Sequence, residues 1–417
     1  MACILKTPSK KQKGIVTFTS QELLRFINKD KSLQQQISKI KDRWAVGIHH
    51  NWHNFKFKHN PLFDFDMAGE TDLIEVNNKQ FLHIPIECTH FSPEFFNFSP
   101  NDKMWDILYV GRAINFKRIP EFFKIVRSLY DNGKMYRVLF IAPVPPECAK
   151  IKSNKSFFCD IRKVYNEMFN AKERKLFNLM TIDYDYPFPF DIETLSHFYK
   201  SSRIFIFTSD DERRPRTVSY AMASGMPTVL MESVASLLPK SKQKKPLVYL
   251  ANSFEEYPSL IEEAVSYTKT DEYSKESMID GINEFDTTYN LDRLNNIFLK
   301  EFDIDLFEDK NKYNALYELD IRLARHYGFG ENSNSIGWSI ESFLNYLENR
   351  NFEDMKEDLT HDDLERYISN FSQYGKKELE SLDKNTFIES IKKVLFPYYE
   401  KSIFLKKLYK NIKGLKS

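Results

Sequence analysis

The sequence predicts an α/β protein built on a doubly wound parallel, Rossmann-like sheet, with a reduced α/β region before it and a helical region after it. Three observations predict this. Apolar runs without polar alternation, such as 106–110, 136–141 and 204–207, are those of strands buried on both faces. These runs alternate with amphipathic stretches of helical period, of which Ile119 to Asn132 is the clearest. Beyond about Asp303 the strand pattern stops, and only helical periodicity continues.

In chain order, Met1 to Lys13 is basic and polar and reads as a frayed segment. Residues 14–19 read as a strand, and Gln21 to Lys41 as a helix carrying Leu23, Leu24, Ile27, Leu33, Ile37 and Ile40 near a 3.6 period. Trp44 to Ile48 is a second strand. It empties into His49-His50-Asn51-Trp52-His53-Asn54, where three histidines fall within five residues. A metal site would need a further ligand that the sequence does not identify, so a polar loop lining a cleft and incidental surface histidines remain the readings. Thr71 to Val76 and Gln80 to Ile86 are short strand candidates. Pro93 and Pro100 make the segment that follows an interdomain connection.

From Trp105 the pattern sharpens. Strand 106–110, loop Gly111 to Lys117, helix Ile119 to Asn132 with Pro120 in its first turn, and strand 136–141 form a βαβ unit. A helix from about Lys155 to Leu176, strand 179–182 and helix Ile192 to Ser201 lead to the strand at 204–207. The polar loop Ser209 to Arg216 follows, then a short helix Thr217 to Ala223, Gly225, strands 227–230 and 247–250, and helix Phe254 to Tyr267. A helix amino end over the carboxyl ends of a parallel sheet favours an anion. Helices are then expected at 316–327, 339–348, 362–372, 376–382 and 386–396. The domains predicted are 1–100, 101–300 and 301–417.

Bulk properties narrow the function. Sixty Lys and Arg stand against 59 Asp and Glu, a net charge of +1, so no nucleic-acid partner is expected. No window approaches 18 uninterrupted apolar residues, and residues 1–14 lack the apolar stretch of a signal peptide, so a cytoplasmic protein is expected. Cys3, Cys88, Cys148 and Cys159 are scattered and read as free intracellular thiols. The tail sets Lys392, Lys393, Lys401, Lys406, Lys407, Lys410, Lys413 and Lys416 against Glu400, with Phe404, Leu408, Ile412 and Leu415 on one face. Two readings stand: a peripheral contact with an anionic membrane surface, and a terminal helix docked on its own protein.

Two separated motifs match one family. The first is Ile107-Leu108-Tyr109-Val110-Gly111-Arg112-Ala113-Ile114-Asn115-Phe116-Lys117; the second is Glu212 together with Ala221-Met222-Ala223-Ser224-Gly225-Met226-Pro227-Thr228-Val229. In order and about 100 residues apart, they resemble the V-G-R turn with its lysine, and the E-x7-E-A-M-A-x-G-x-P-V signature, of retaining glycosyltransferases of the GT-B, "group 1" or family 4 type. The resemblance covers roughly residues 84–289. It implies a nucleotide-sugar donor, a saccharide or lipid-linked acceptor, transfer of a hexose with retention, and no cofactor or metal. It also implies a role in polysaccharide biosynthesis.

By this resemblance Arg112 and Lys117 neutralise the departing diphosphate, a role for which cations pre-placed at a strand end are suited. Glu212 approaches hydroxyls of the transferred sugar, since a carboxylate accepts several hydrogen bonds. Gly111, Thr217 and Ser219 fall in the donor-binding segments. The family's second, ribose-binding glutamate falls at Tyr220, and its small residues after the first glutamate are replaced by Arg213, Arg214, Pro215 and Arg216. The three arginines either clamp a diphosphate or acidic sugar or pair with Asp210 and Asp211. His49, His50 and His53 are the acceptor-side candidates, and the family needs no dedicated general base. Tyr220 and the short first domain leave open a second class, a catalytically silent nucleotide-sugar binder or assembly subunit.

Overall fold

The structure is a computed structural model that describes residues 2–19, 26–50, 57–69, 74–75, 81–86, 88–99, 102–144, 161–183, 192–210, 212, 215–238, 245–273, 285–307 and 340–349. The chain forms two compact units, Met1–Gly328 with Asn351–Asp358, and Phe329–Arg350 with Leu359–Ser417. Of the second, the helix Ile340–Asn349 is described, with Phe343, Leu344 and Leu347 buried. The other helices expected after Asp303, and the lysine-rich tail, lie outside the described residues.

The first unit contains two parallel-dominated sheets. The first sheet has the order β1-β2-β3-β5-β7, from β1 (Ala2–Lys6), β2 (Gly14–Thr19), β3 (Trp44–His49), β5 (Phe65–Met67) and β7 (Leu82–Ile84). Its strands β2, β3, β5 and β7 pair in parallel, and β1 pairs antiparallel to β2 at one edge. Residues 2–6 are thus strand rather than frayed chain. Ile4 and Leu5 are apolar enough to be buried, and an edge position needs only one partner for its backbone. The short strands β4 (Phe57–Lys58) and β6 (Ile74–Glu75) pair separately. Of the helix expected at Gln21 to Lys41, residues 21–25 lie outside the described residues; after a 3-10 turn at Ile27–Lys29 the α-helix Lys31–Ile40 begins, where the Asp30 carboxylate accepts from the Ser32 and Leu33 amides and caps it.

The second sheet comprises β8 (Trp105–Val110), β9 (Val138–Val144), β10 (Phe177–Asp183), β11 (Ser202–Phe207), β12 (Thr228–Met231) and β13 (Val248–Ala251), in the order β10-β9-β8-β11-β12-β13 and parallel throughout. Counted from its first strand this is 3-2-1-4-5-6, the doubly wound Rossmann order. Side-chain alternation divides each strand between two cores. From β8, Ile107 and Tyr109 enter a cluster with the helices Ile119–Asp131 and Tyr257–Tyr267, while Leu108 and Val110 enter one with Ile192–Lys200 and Arg216–Ala223. Both faces are covered, which explains why the strands lack polar alternation.

The helix Thr287–Phe302 was not singled out by sequence pattern. It leaves the second sheet and buries Leu291, Leu294 and Phe298 against Ile15, Ala45, Phe65 and Met67 of the first. Phe298 meets Phe65 edge-on at 5.2 Å. Asp286 caps it through the Tyr289 amide, and the buried Asn290 side chain donates to the His90 carbonyl at 2.9 Å. The residues predicted to close the second domain therefore complete the core of the first.

Candidate functional site

In a 3-2-1-4-5-6 sheet the order of winding reverses between β8 and β11, and the loops leaving those two parallel strands diverge to opposite faces. After β8 the chain enters the helix Ile119–Asp131 in one core; after β11 it enters Arg216–Ala223 in the other. The crevice opened there is flanked by the two motifs found in sequence, residues 111–118 and 208–223.

The loops are tied together at their bases. Thr208 Oγ1 donates to the Lys117 carbonyl at 2.7 Å, and Ser209 Oγ to the Phe116 carbonyl at 2.8 Å. The Tyr109 hydroxyl donates to the same Lys117 carbonyl at 3.3 Å. Burial, reinforced by the charge of Glu212 and opposed by the Thr208 hydrogen bond, pushes this phenol well above its ordinary pKa, so it stays a neutral donor. Tyr257 supports β11 from below, donating to the Phe207 carbonyl at 2.8 Å. These bonds satisfy carbonyls that a turn would otherwise leave buried and unpaired.

On this base Lys117 and Glu212 form an ion pair. The Lys117 side chain is 8% exposed and that of Glu212 20%. The ammonium also lies over the Phe207 ring at 5.2 Å and near the Phe116 ring at 5.7 Å, faces that attract a cation. Beside it, Arg118 pairs with Asp210. That pair is largely exposed and contributes about 1 kcal/mol at most. Arg118 sits at a left-handed φ of 48°, which turns the chain from the loop into the helix Ile119–Asp131.

Among the other candidate donor residues, Gly111 is buried; a Cβ there would lie 3.1 Å from the Tyr109 hydroxyl, so glycine lets the loop pass beside that phenol. Arg112 is exposed at the mouth of the loop, Arg216 and Thr217 are partly buried in the first helical turn, and Ser219 is buried. Thr217 Oγ1 is buried and has no hydrogen-bond partner among the described residues. Arg213, Arg214 and Asp211 lie outside the described residues. Of the two carboxylates weighed as partners for the arginine run, Asp210 is engaged by Arg118, a residue that sequence reasoning passed over.

Tyr220 is a packing residue. It is 5% exposed and stacks on Phe96 at 4.1 Å and 11°, with Tyr199 edge-on at 6.2 Å. Ser224 Oγ donates to the Phe96 carbonyl at 2.8 Å, so the connection between the sheets is seated on the helix Arg216–Ala223 by both ring and backbone. That helix ends in a Schellman arrangement: the Met226 amide donates to Ala221 and the Gly225 amide to Met222, with Gly225 at φ 65°. The A-M-A-S-G string is thereby explained locally: small residues for close packing, and glycine for the left-handed terminus.

On the first sheet, His49 and His50 are buried at the carboxyl end of β3, and His53 lies outside the described residues. His50 Nε2 lies 2.7 Å from one oxygen of Asp66 on β5, and His59 Nδ1 lies 2.5 Å from the other. Sequence reasoning missed Asp66 and His59 because β5 is three residues long and carries no periodic signal. These are hydrogen-bond contacts; among the described residues no group of three or more His, Cys, Asp or Glu is set to hold a metal. Among them, too, no helix is long and apolar enough to cross a membrane.

Fold and site together define a Rossmann-like α/β protein with a charged pair at its switch point. No family model matches the sequence, and no curated protein matches it significantly. Among solved structures, the chain is similar to a glycosyltransferase from Rickettsia africae, with 13% identity, 64% of this chain and 80% of that one covered, and a TM-score of 0.45. It is similar to TarM with 12% identity, 61% and 50% covered, and a TM-score of 0.42. For the pneumococcal O-GlcNAc transferase GtfA, solved with UDP and GlcNAc, the values are 11%, 64%, 53% and 0.42. The chain thus spans about half the length of TarM and GtfA.

Proposed function

We propose that the chain is a glycosyltransferase that moves a hexose from a nucleotide sugar to a saccharide or lipid-linked acceptor with retention, in polysaccharide biosynthesis. The observation that carries this reading is the meeting of Lys117 and Glu212 at the switch point of the second sheet. The two motifs of the resemblance are 95 residues apart, and the fold joins them in one crevice. In this reading Lys117 and the exposed Arg112 face the diphosphate, whose charge grows as its bond to the sugar breaks. Glu212 exchanges its lysine contact for sugar hydroxyls, and the open hydrogen bond at Thr217 Oγ1 is taken up by the donor. The amino end of the helix Arg216–Ala223 adds its dipole to the same anion. Gly111 and Ser219 shape the donor site. Arg213, Arg214 and Arg216 would decide among donors, His49, His50 and His53 would serve the acceptor, and the enzyme would need no metal.

The reaction would take place in the cytoplasm, with the lysine-rich tail as a peripheral contact on the inner face of a membrane. The test is a thermal-shift screen against UDP, GDP, CMP and ADP sugars, followed by donor hydrolysis and transfer with the donor that stabilises the fold. Glu212→Ala and Arg112→Ala are expected to abolish turnover with the fold retained. Unchanged turnover in both refutes the reading.

A second reading, a silent nucleotide-sugar-binding subunit, is favoured by one observation: Tyr220, in the place of the ribose-binding glutamate, is packed in the core. It predicts donor binding without any Glu212-dependent release of nucleoside diphosphate.

A further inference from the structure

The trio His50, Asp66 and His59 belongs to the first sheet, and its geometry is that of a built site. Asp66 is 1% exposed, on a strand whose neighbouring residues Phe65 and Met67 belong to the apolar core. A buried carboxylate costs several kcal/mol unless it is fully hydrogen-bonded, and apolar replacements of such groups are commonly as stable or more so. Core packing alone therefore gives no reason for a carboxylate here. Its position does: β3 and β5 both end at this point, and the carboxyl ends of parallel strands are where α/β sheets hold ligands.

The trio also orients one ring for outside use. An ionised carboxylate only accepts, so each imidazole nitrogen facing Asp66 carries a hydrogen: Nε2 of His50 and Nδ1 of His59. The His59 ring is fixed a second time by stacking on Phe81, with centroids 4.3 Å apart and planes at 13°. With Nδ1 engaged inward, Nε2 is the His59 ring nitrogen left to meet a group outside the trio. The His59 side chain is 17% exposed, and among the described residues Nε2 has no hydrogen-bond partner. A carboxylate behind a pinned imidazole is an arrangement for presenting a basic nitrogen to a hydroxyl.

We propose that His59, positioned by Asp66, is a hydroxyl-binding residue on the first sheet, whose Nε2 accepts a hydrogen bond from a saccharide hydroxyl. The choice of a saccharide rests on the glycosyl-transfer reading; the presence of a hydroxyl site rests on the geometry of the trio. His50 acts through Asp66, holding its second oxygen.

The test uses the full chain labelled with 15N-histidine, and reads the imidazole tautomers by long-range 1H–15N correlation. The probes are the methyl α-glycosides of glucose, galactose, mannose and N-acetylglucosamine. Neutral His59 is expected to carry its hydrogen on Nδ1, and at least one glycoside is expected to move its Nε2 resonance saturably while Nδ1 stays. Asp66→Asn is expected to shift the tautomer toward Nε2–H and abolish the response. His59→Gln is expected to weaken binding of the same glycoside, and it decides the matter if Asp66→Asn does not fold. An Nε2–H tautomer in the wild type, no response to all four glycosides, or an equal response in Asp66→Asn overturns the proposal. UDP-hexose and GDP-hexose added to the same sample separate the two readings. A responding His59 with no donor binding removes the transfer reading and leaves the saccharide site. Donor binding with a silent His59 removes this proposal alone.

Discussion

Removing the Glu212 carboxylate leaves the Lys117 ammonium without its counter-charge in a nearly closed position, whereas removing the ammonium leaves a carboxylate that water can reach. Stripping one partner from a fully buried pair costs about 3–5 kcal/mol. Here the Glu212 side chain is 20% exposed, and the Phe207 and Phe116 faces each return about 0.5–1 kcal/mol to the cation. Glu212→Ala is therefore expected to cost about 2 kcal/mol, and Lys117→Met about 1 kcal/mol. The double variant Lys117→Met/Glu212→Ala leaves neither charge behind and is expected to lie within about 1 kcal/mol of wild type, a coupling of about 2 kcal/mol. Urea denaturation read at constant m measures all four corners. Turnover is expected to be lost in all three variants, including the stable double one. Equal single costs that add in the double variant would refute the reasoning, because the two charges would then not share one desolvated site.

Four further outcomes are expected. Tyr220→Phe should change stability by less than about 0.5 kcal/mol, because no hydrogen bond of its hydroxyl is made among the described residues, while Tyr220→Glu, which places a carboxylate against Phe96, should cost several kcal/mol by denaturation. Gly225→Ala should cost about 1 kcal/mol, since alanine resists the φ of 65° that the Schellman terminus uses; an unchanged urea midpoint would contradict this. Gly47→Ala should cost about 1–3 kcal/mol or more, because its Cβ would run into the Phe65 ring, and Phe65→Leu in the same chain should restore part of the loss. Burial, and then the charge of Arg203, lower the Lys103 pKa from 10.5 to about 8. The unfolded chain therefore holds the extra proton between those values, so the Lys103 penalty is full below pH 8 and fades as pH rises to 10.5. Urea midpoints should show Lys103→Met ahead of wild type by about 1–2 kcal/mol at pH 7, after allowance for partial exposure, and level with it near pH 10.5.

The second sheet was legible in the sequence because its central strands are buried on both faces. Residues 107–110 and 204–207 carry unbroken apolar runs that no half-solvated strand would show. The first sheet was legible in β2, in β3 and in β7, which lies within the strand expected at Gln80 to Ile86. Its strand β5 is three residues long, so neither period nor propensity had room to register, and its middle residue is a carboxylate. Ala2–Lys6 was hidden for a different reason: the polar, lysine-rich stretch that follows, with Lys6, Lys10, Lys11 and Lys13, masks Ile4 and Leu5. The site was legible as two motifs, Gly111 to Lys117 and Glu212 with Ala221 to Gly225, yet their pairing was not, since 95 residues separate Lys117 from Glu212, with the strands β9, β10 and β11 between them. Tyr220 looked like a lost ligand because its stacking partner, Phe96, lies in a segment with no regular pattern of its own.

The return of the helix Thr287–Phe302 to the first sheet has a consequence for how the chain is made. Leu291, Leu294 and Phe298 cover Ile15, Ala45, Phe65 and Met67, but they are synthesised about 220 to 280 residues after those positions. At about 5–20 residues per second, roughly 10–55 s of translation separate them. During that interval the second sheet, contiguous in sequence, can close on itself while the nascent first sheet still shows one apolar face. A ribosome stalled before residue 287 would hold out a chain whose second sheet is closed and whose first sheet still offers an apolar face to holdase chaperones. One stalled after residue 307 has emerged would release them.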